Sequence, residues 1–380
     1  MSDGRFKYED CLKKHFVRTQ VWLPTCRRRL EKIKATRPKR QRRLRYFTFP
    51  AVGALDVITL DMAGLVTKSV AGRFDTVVFF GRKEDLVNDT IKRIPGAIGF
   101  PGDFVDIALL DPDTEGTSWS GAGFLSSPRS QPDNGSTRAK QRNLDMQHRF
   151  KEQFPFDVLN LDMEGFPFRP KDPYPGRLIN ALRHVLEWQH RPISCEDGAK
   201  LELDGFSLMF TTQVGPHNLS SDYLNMLRHC LKRNINGDPE LASHLLNRTG
   251  LADVDLLQRK NFDVFFKLAV PKVLANVLME KDWYVDPDPG ILLYEFERPS
   301  LTGPYKILHL VMDVRRQEPP IQQRAPSEEC PAAQCAYREV VRKIFSARES
   351  VVTDDSIDRT VLQEDLDATM ARRREYCPDD

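Results

Sequence analysis

From residue 46 to residue 314 the chain alternates short, continuously apolar runs with longer stretches in which apolar residues recur every three or four positions. Apolar runs separated by helices mark parallel strands, buried on both faces and joined by crossovers. The strands so predicted cover 46–50 (YFTFP), 76–80 (TVVFF), 97–100, 156–161 (FDVLNL) and 206–210 (FSLMF). Helices are expected over 51–65 after a turn, over 84–94, and over 178–188, where Leu178, Leu182, Val185 and Leu186 share one face. Residues 217–283 read as a helical insertion. Within it Asp238-Pro239 starts one helix, Gly250 ends it, and 262–283 forms another with a kink at Pro271.

Two further strands follow, over 291–296 and 305–314. The second alternates, placing Leu308, Leu310, Met312 and Val314 on one face. About eight residues separate the two, too few for a crossover helix, so they should pair antiparallel. Residues 111–142, rich in Ser, Gly and Pro, read as a flexible loop, and 317–332 as a linker. The chain thus divides into a basic helical extension (1–45), an α/β domain (46–316) and a linker with an acidic helical extension (317–380), whose last helix Ser356 is placed to cap.

Composition narrows the class. With 380 residues, 40% hydrophobic and 29% charged, the chain can bury a core without disulfides. No apolar run approaches the roughly 20 residues of a membrane-spanning helix, and the first residues lack an apolar signal core. Seven scattered cysteines with no C-x-x-C point to a reducing, cytoplasmic protein. The net charge of +2 conceals a basic run: residues 27–45 hold eleven Lys/Arg and one acid, while 351–380 hold nine acids and four bases. Arg27, Arg28, Arg29, Lys39, Arg40, Arg42 and Arg43 stand in that run as candidates for phosphate contact with nucleic acid. The competing reading docks the run on an acidic protein partner or on the chain's own acidic tail.

Candidate chemistry gathers at the carboxyl ends of the predicted strands, where open α/β sheets bind ligands. Asp162 and Glu164-Gly165 follow the fourth strand, where a carboxylate can orient or deprotonate an acceptor hydroxyl or amine; the plain alternative is an acid capping the next turn. Gly53 follows the first strand and permits close backbone approach to a ligand. Asp103 and Phe104 follow the third, where Asp103 is also placed to cap a helix. Thr211, Thr212, Gln213 and His217 follow the fifth. Phosphate loops, G-x-G-x-x-G, H-E-x-x-H and G-x-S-x-G motifs are absent, and no Cys/His spacing suggests zinc or another metal site.

Five β/α units closed by an antiparallel pair, with these strand-end residues, resemble the class I S-adenosylmethionine-dependent methyltransferases. The resemblance implies a Rossmann-like, seven-stranded, mostly parallel sheet with S-adenosylmethionine as cofactor. It implies Gly53 beside the methionine part and Asp103 on the adenine amino group, with Phe104 against the ring. Asp162 and Glu164 would lie next to the transferred methyl group. The second strand ends Phe79-Phe80-Gly81-Arg82 without the acid usual there, so either Glu84 reaches the ribose from the next helix or the ribose site is lost. The Asp-x-Glu-Gly form is similar to the FkbM-type O-methyltransferases. Met163 and Glu164 replace the prolines of adenine-N6 and cytosine-N4 DNA methylases. Three readings follow: a methyltransferase acting on or alongside nucleic acid, a methyltransferase-like module that has lost turnover and binds through 27–45, and a methyltransferase for small hydroxylated molecules.

Overall fold

The computed structural model describes residues 12–37, 43–50, 53–66, 73–110, 137–162, 177–194, 200–215, 221–286, 291–298, 305–316, 342, 344, 348–353, 355 and 357–376. The apolar runs become β1 (Tyr46–Thr48), β2 (Val77–Gly81), β3 (Ile98–Pro101), β4 (Val158–Asp162) and β7 (Gly205–Val214). A small separate pair, β5 (Ile193–Ser194) and β6 (Lys200–Leu201), precedes β7; β8 (Tyr284–Val285), β9 (Ile291–Arg298), β10 (Tyr305–Arg315) and β11 (Arg348–Val352) complete the strands. The main sheet has nine strands in the order β3-β2-β1-β4-β7-β10-β9-β11, with β8 pairing on β10. Neighbours from β3 to β7 are parallel. β10 runs antiparallel to both β7 and β9, so the expected antiparallel pair is present, with β10 inserted between β7 and β9.

The sheet is larger than the seven strands expected. β8 adds a short rung, and β11 pairs parallel to β9. The second addition corrects the reading of 317–380 as linker and helix, because part of it completes the sheet. Residues 111–142 also need correction, since a helix over Thr137–Lys151 takes up the end of that segment. Its anchor is Phe150, fully buried, whose ring meets Phe80 at 4.8 Å and Phe47 at 5.5 Å.

The helices are α1 (Leu12–Val17), a π-turn (Arg18–Trp22), α2 (Leu23–Thr36), α3 (Leu55–Met62), α4 (Glu84–Arg93), α5 (Phe104–Ala108), α6 (Thr137–Lys151) and α7 (Arg177–Trp188). The insertion supplies α8 (Ser221–Gly237), α9 (Pro239–Thr249), α10 (Val254–Lys260) and α11 (Phe262–Met279), and α12 (Arg359–Tyr376) closes the described chain. Asp238 accepts the Glu240 N–H at the start of α9, and Gly250 ends it at φ 68°. Pro271 lies inside α11. Asp358, two residues beyond Ser356, caps α12 through the Thr360 and Val361 N–H groups; Ser356 lies outside the described residues.

Strand residues alternate between two cores, making three layers. One face carries Phe47, Phe80, Leu159 and Phe210 under α5–α8 and α11. The other carries Tyr46, Phe79, Val158, Met209 and Val311 under α1–α3 and α12. At Gly205, where β7 meets β10, a Cβ would run into the Val314 carbonyl oxygen, so only glycine lets the two strands close up.

Candidate functional site

The register places Asp162, Thr211 and His309 in one row across β4, β7 and β10: Asp162 pairs with Thr211, and Thr211 with His309. The period-two alternation puts all three on the face covered by α1–α3. Asp162 is the last residue of β4, at the carboxyl ends of the parallel strands. Onto this row α1 lowers Lys14, whose Nζ lies 3.0 Å from Asp162 Oδ2 with both side chains nearly buried. Burial pushes the Asp162 carboxyl up, but Lys14, His309 and Arg18 more than offset this and hold it below the usual carboxylate range. At neutral pH Asp162 is therefore an ionised carboxylate held by an ammonium group.

His309 stands at the β10 end of the row. Trp22, the last residue of the π-turn, donates its Nε1–H to His309 Nε2 at 2.5 Å, which leaves the proton of the neutral ring on Nδ1. Nδ1 then donates to Thr211 Oγ1 at 2.6 Å. Burial pushes the imidazole down to about 4, so the ring is neutral at pH 7. One row below, Asn160 Nδ2 donates to the Tyr46 hydroxyl at 2.7 Å. Asp56, in the first turn of α3, accepts from Thr48 Oγ1 at 2.7 Å and from Tyr46 at 3.3 Å. The helix N-terminus favours that carboxylate. Asn160 Oδ1 is buried and has no hydrogen-bond partner among the described residues. The arrangement is thus a buried, acceptor-rich strip along β1 and β4 that meets Lys14 at its outer end.

The residues singled out from the sequence divide sharply. Asp162 enters the strip, and Gly53 is buried in the connection from β1 to α3, where the left-handed position belongs to its neighbour Ala54 at φ 48°. Glu84 opens α4 as an exposed side chain paired with Arg142 of α6 at 2.9 Å. Asp103 is exposed and caps α5, accepting from the Val105 and Asp106 N–H groups at 2.8 and 3.4 Å. Phe104 is buried in the phenylalanine cluster of the opposite face, against Phe49, Phe80 and Phe47. Glu164 and His217 lie outside the described residues. Lys14, Trp22, Asn160 and His309 carry no sequence motif. The available signal was the face of 305–314 opposite its leucines, where His309 and Asp313 interrupt an otherwise apolar strand.

The basic run is largely engaged within the fold. Arg37, at the end of α2, makes a two-pronged ion pair with the fully buried Asp157 at the start of β4. Arg29 is buried and binds Asp204 at 2.8 Å and the Gly205 carbonyl. Arg28 lies 3.9 Å from Asp313, Lys32 3.2 Å from Asp286 and Arg43 3.6 Å from Asp75. Arg27 is exposed, and Lys39, Arg40 and Arg42 fall outside the described residues. The rival reading placed the run on the acidic tail; the acids that these residues meet belong instead to the sheet domain and not to the segment 351–380.

Among the described residues no group of three or more His, Cys, Asp or Glu side chains is arranged to hold a metal ion. No described helix is long and apolar enough to cross a membrane. Compared with known protein families, with curated proteins and with solved structures, the chain matches none.

Proposed function

We propose that this protein is an S-adenosylmethionine-dependent methyltransferase whose reacting centre lies at Asp162. The observation that carries this reading is the strand order. Five parallel strands run from β3 at one edge through β2, β1 and β4 to β7, and an antiparallel β10 is inserted before β9. Parallel β/α units followed by an antiparallel pair support the resemblance to such methyltransferases, and in this order β1 and β4 lie side by side.

The residues at those ends suit the positively charged end of such a cofactor. Asn160 Oδ1 is a buried acceptor awaiting a donor, and Asp56 and Asp162 flank it with negative charge. When bound, the cofactor supplies an electrophilic methyl group on a sulfonium. Asp162, ionised at neutral pH and held below the usual carboxylate range, is suited to accept a hydrogen bond from an acceptor O–H or N–H at the rim and so to align it. The adenosine end is less well provided. Glu84 is turned to Arg142 and Asp103 to its own helix, so neither serves the ribose or the adenine in this arrangement. Of the basic candidates for a nucleic-acid acceptor, Arg28, Arg29 and Arg43 lie beside carboxylates of this chain, and Arg27 is exposed.

A second reading rests on one contact, the Lys14 ammonium at 3.0 Å from Asp162. A permanent cation there makes the fold a binding module without turnover. Calorimetric titration of the full chain with S-adenosylmethionine and S-adenosylhomocysteine separates the two. The first reading expects micromolar binding, lost in Asn160→Leu and kept in Asp103→Ala. Absence of heat from either ligand, in protein shown to be folded, decides for the module.

A further inference from the structure

We propose that α1 is a hinged cover over Asp162, with the π-turn at Arg18–Trp22 as its hinge and Lys14 as its latch. The inference deepens the reading of Asp162 as the reacting centre and rests on that reading for what the cover admits.

The two helices on either side of the π-turn are attached by different forces. α2 buries Cys26, Leu30 and Ile33, preceded by Trp22, against the sheet face. Full burial of apolar side chains of that size is strongly favourable, so α2 is firmly docked. α1 fully buries one apolar side chain, Val17, and only part of Leu12 and Phe16. Its polar inward contacts include Lys14 on Asp162, and His15 Nε2 at 3.1 Å from Asp365 of α12. The Lys14–Asp162 pair gives little net stability, because desolvation cancels most of the attraction. Burial pushes the His15 imidazole below its ordinary value, so its contact with Asp365 is a hydrogen bond of a neutral ring. His15 adds a further cost, since its ring is fully buried while Nδ1 has no hydrogen-bond partner among the described residues. π-turns inside helices concentrate at functional sites, and here one falls at the boundary between the firm and the loose segment.

The latch also indicates what lifts it. Lys14 presents an ammonium to Asp162, so a ligand that brings its own positive charge to that carboxylate replaces Lys14 without leaving Asp162 unpaired. A neutral or anionic ligand does not.

Hydrogen exchange read by mass spectrometry on the full chain, without ligand, tests the cover independently of any cofactor. The backbone N–H groups of residues 16–21 should exchange at least tenfold faster than those of 26–34. Asp365→Lys, at a half-exposed position on α12, removes the hydrogen-bond acceptor of His15, and Lys14→Met removes the latch. Each should speed exchange over 16–21 a further tenfold and leave 26–34 unchanged. Three results overturn the proposal: the two segments exchanging together in the unaltered protein, neither substitution changing residues 16–21, or either substitution loosening 26–34 equally. Failure of S-adenosylmethionine to bind leaves these rates untouched and counts only against the reading of the site.

Discussion

Replacing Arg37 by Met tests whether the basic run serves the fold. Arg37 and Asp157 are both buried, and Asp157 is entirely inaccessible. Asp157 accepts two guanidinium hydrogen bonds from Arg37 and the Arg45 backbone N–H at 2.9 Å. Methionine fills comparable space but brings no charge, so the carboxylate keeps the Arg45 N–H and loses its two-pronged partner. Removing one member of a buried pair costs about 3–5 kcal/mol, because the other is left uncompensated in a poorly solvating interior. A surface pair at this point in the run would cost about 0–1 kcal/mol. Urea unfolding at pH 7, followed by circular dichroism, separates these figures. Asp157→Asn should cost a similar amount, and the double substitution clearly less than the sum of the two, since each removes the other's penalty. A loss below about 1 kcal/mol for Arg37→Met, or simple additivity in the double variant, refutes the reasoning.

Two further expectations concern buried bases. His309 has a folded value of about 4 against its ordinary 6.5, so the unfolded chain takes up the proton first. Its neutral form thus contributes stability that is complete above pH 6.5 and drains away as the pH falls toward 4, by about 3 kcal/mol in total. Urea midpoints between pH 7 and 4.5 should fall less steeply for His309→Gln than for the unaltered protein, and parallel curves refute the assignment. Lys272, buried in α11 and bound to Asn276 Oδ1 at 2.7 Å, is pushed by burial from 10.5 to about 6. Folding strips its proton at pH 7, so Lys272→Met should stabilise the protein by about 1–3 kcal/mol there. That gain should shrink as the pH rises toward 10; a gain independent of pH rules out deprotonation as its source.

Much of the fold was legible because it rests on local patterns. The runs at β1, β2, β4 and β7 are mostly apolar and buried, and Asp238 and Gly250 mark a helix by chemistry confined to a few residues. β11 was not legible: Arg348–Val352 is short, and its strand character comes from pairing with β9, more than fifty residues earlier in the sequence. α6 was hidden by the Ser/Gly/Pro-rich stretch before it, and its helix is secured by one distant contact set around Phe150. At the site, the position of Asp162 followed from strand order, whereas its partner did not. Nothing near Lys14 signals that it meets β4. The internal partners of the basic run were hidden for the same reason: charge density along a sequence is visible, but the opposing carboxylates Asp157, Asp204 and Asp313 are scattered far along the chain.

The place of β11 at the sheet margin has a consequence for biosynthesis. The ribosome releases β9 and β10 together, and their antiparallel ladder can form at once. The outer margin of β9 then waits for residues 348–352, and the N-terminal helices wait still longer for α12, since His15 and Asp365 are 350 residues apart. Until the last turns of α12 emerge, a nascent chain carries an open strand margin beside Leu292 and Tyr294 and an uncovered patch beside Phe74, which Tyr376 later closes. Open strand margins recruit other strands. This protein is therefore most exposed to mispairing in the interval before residues 348–376 have been made, and that segment acts as the seal.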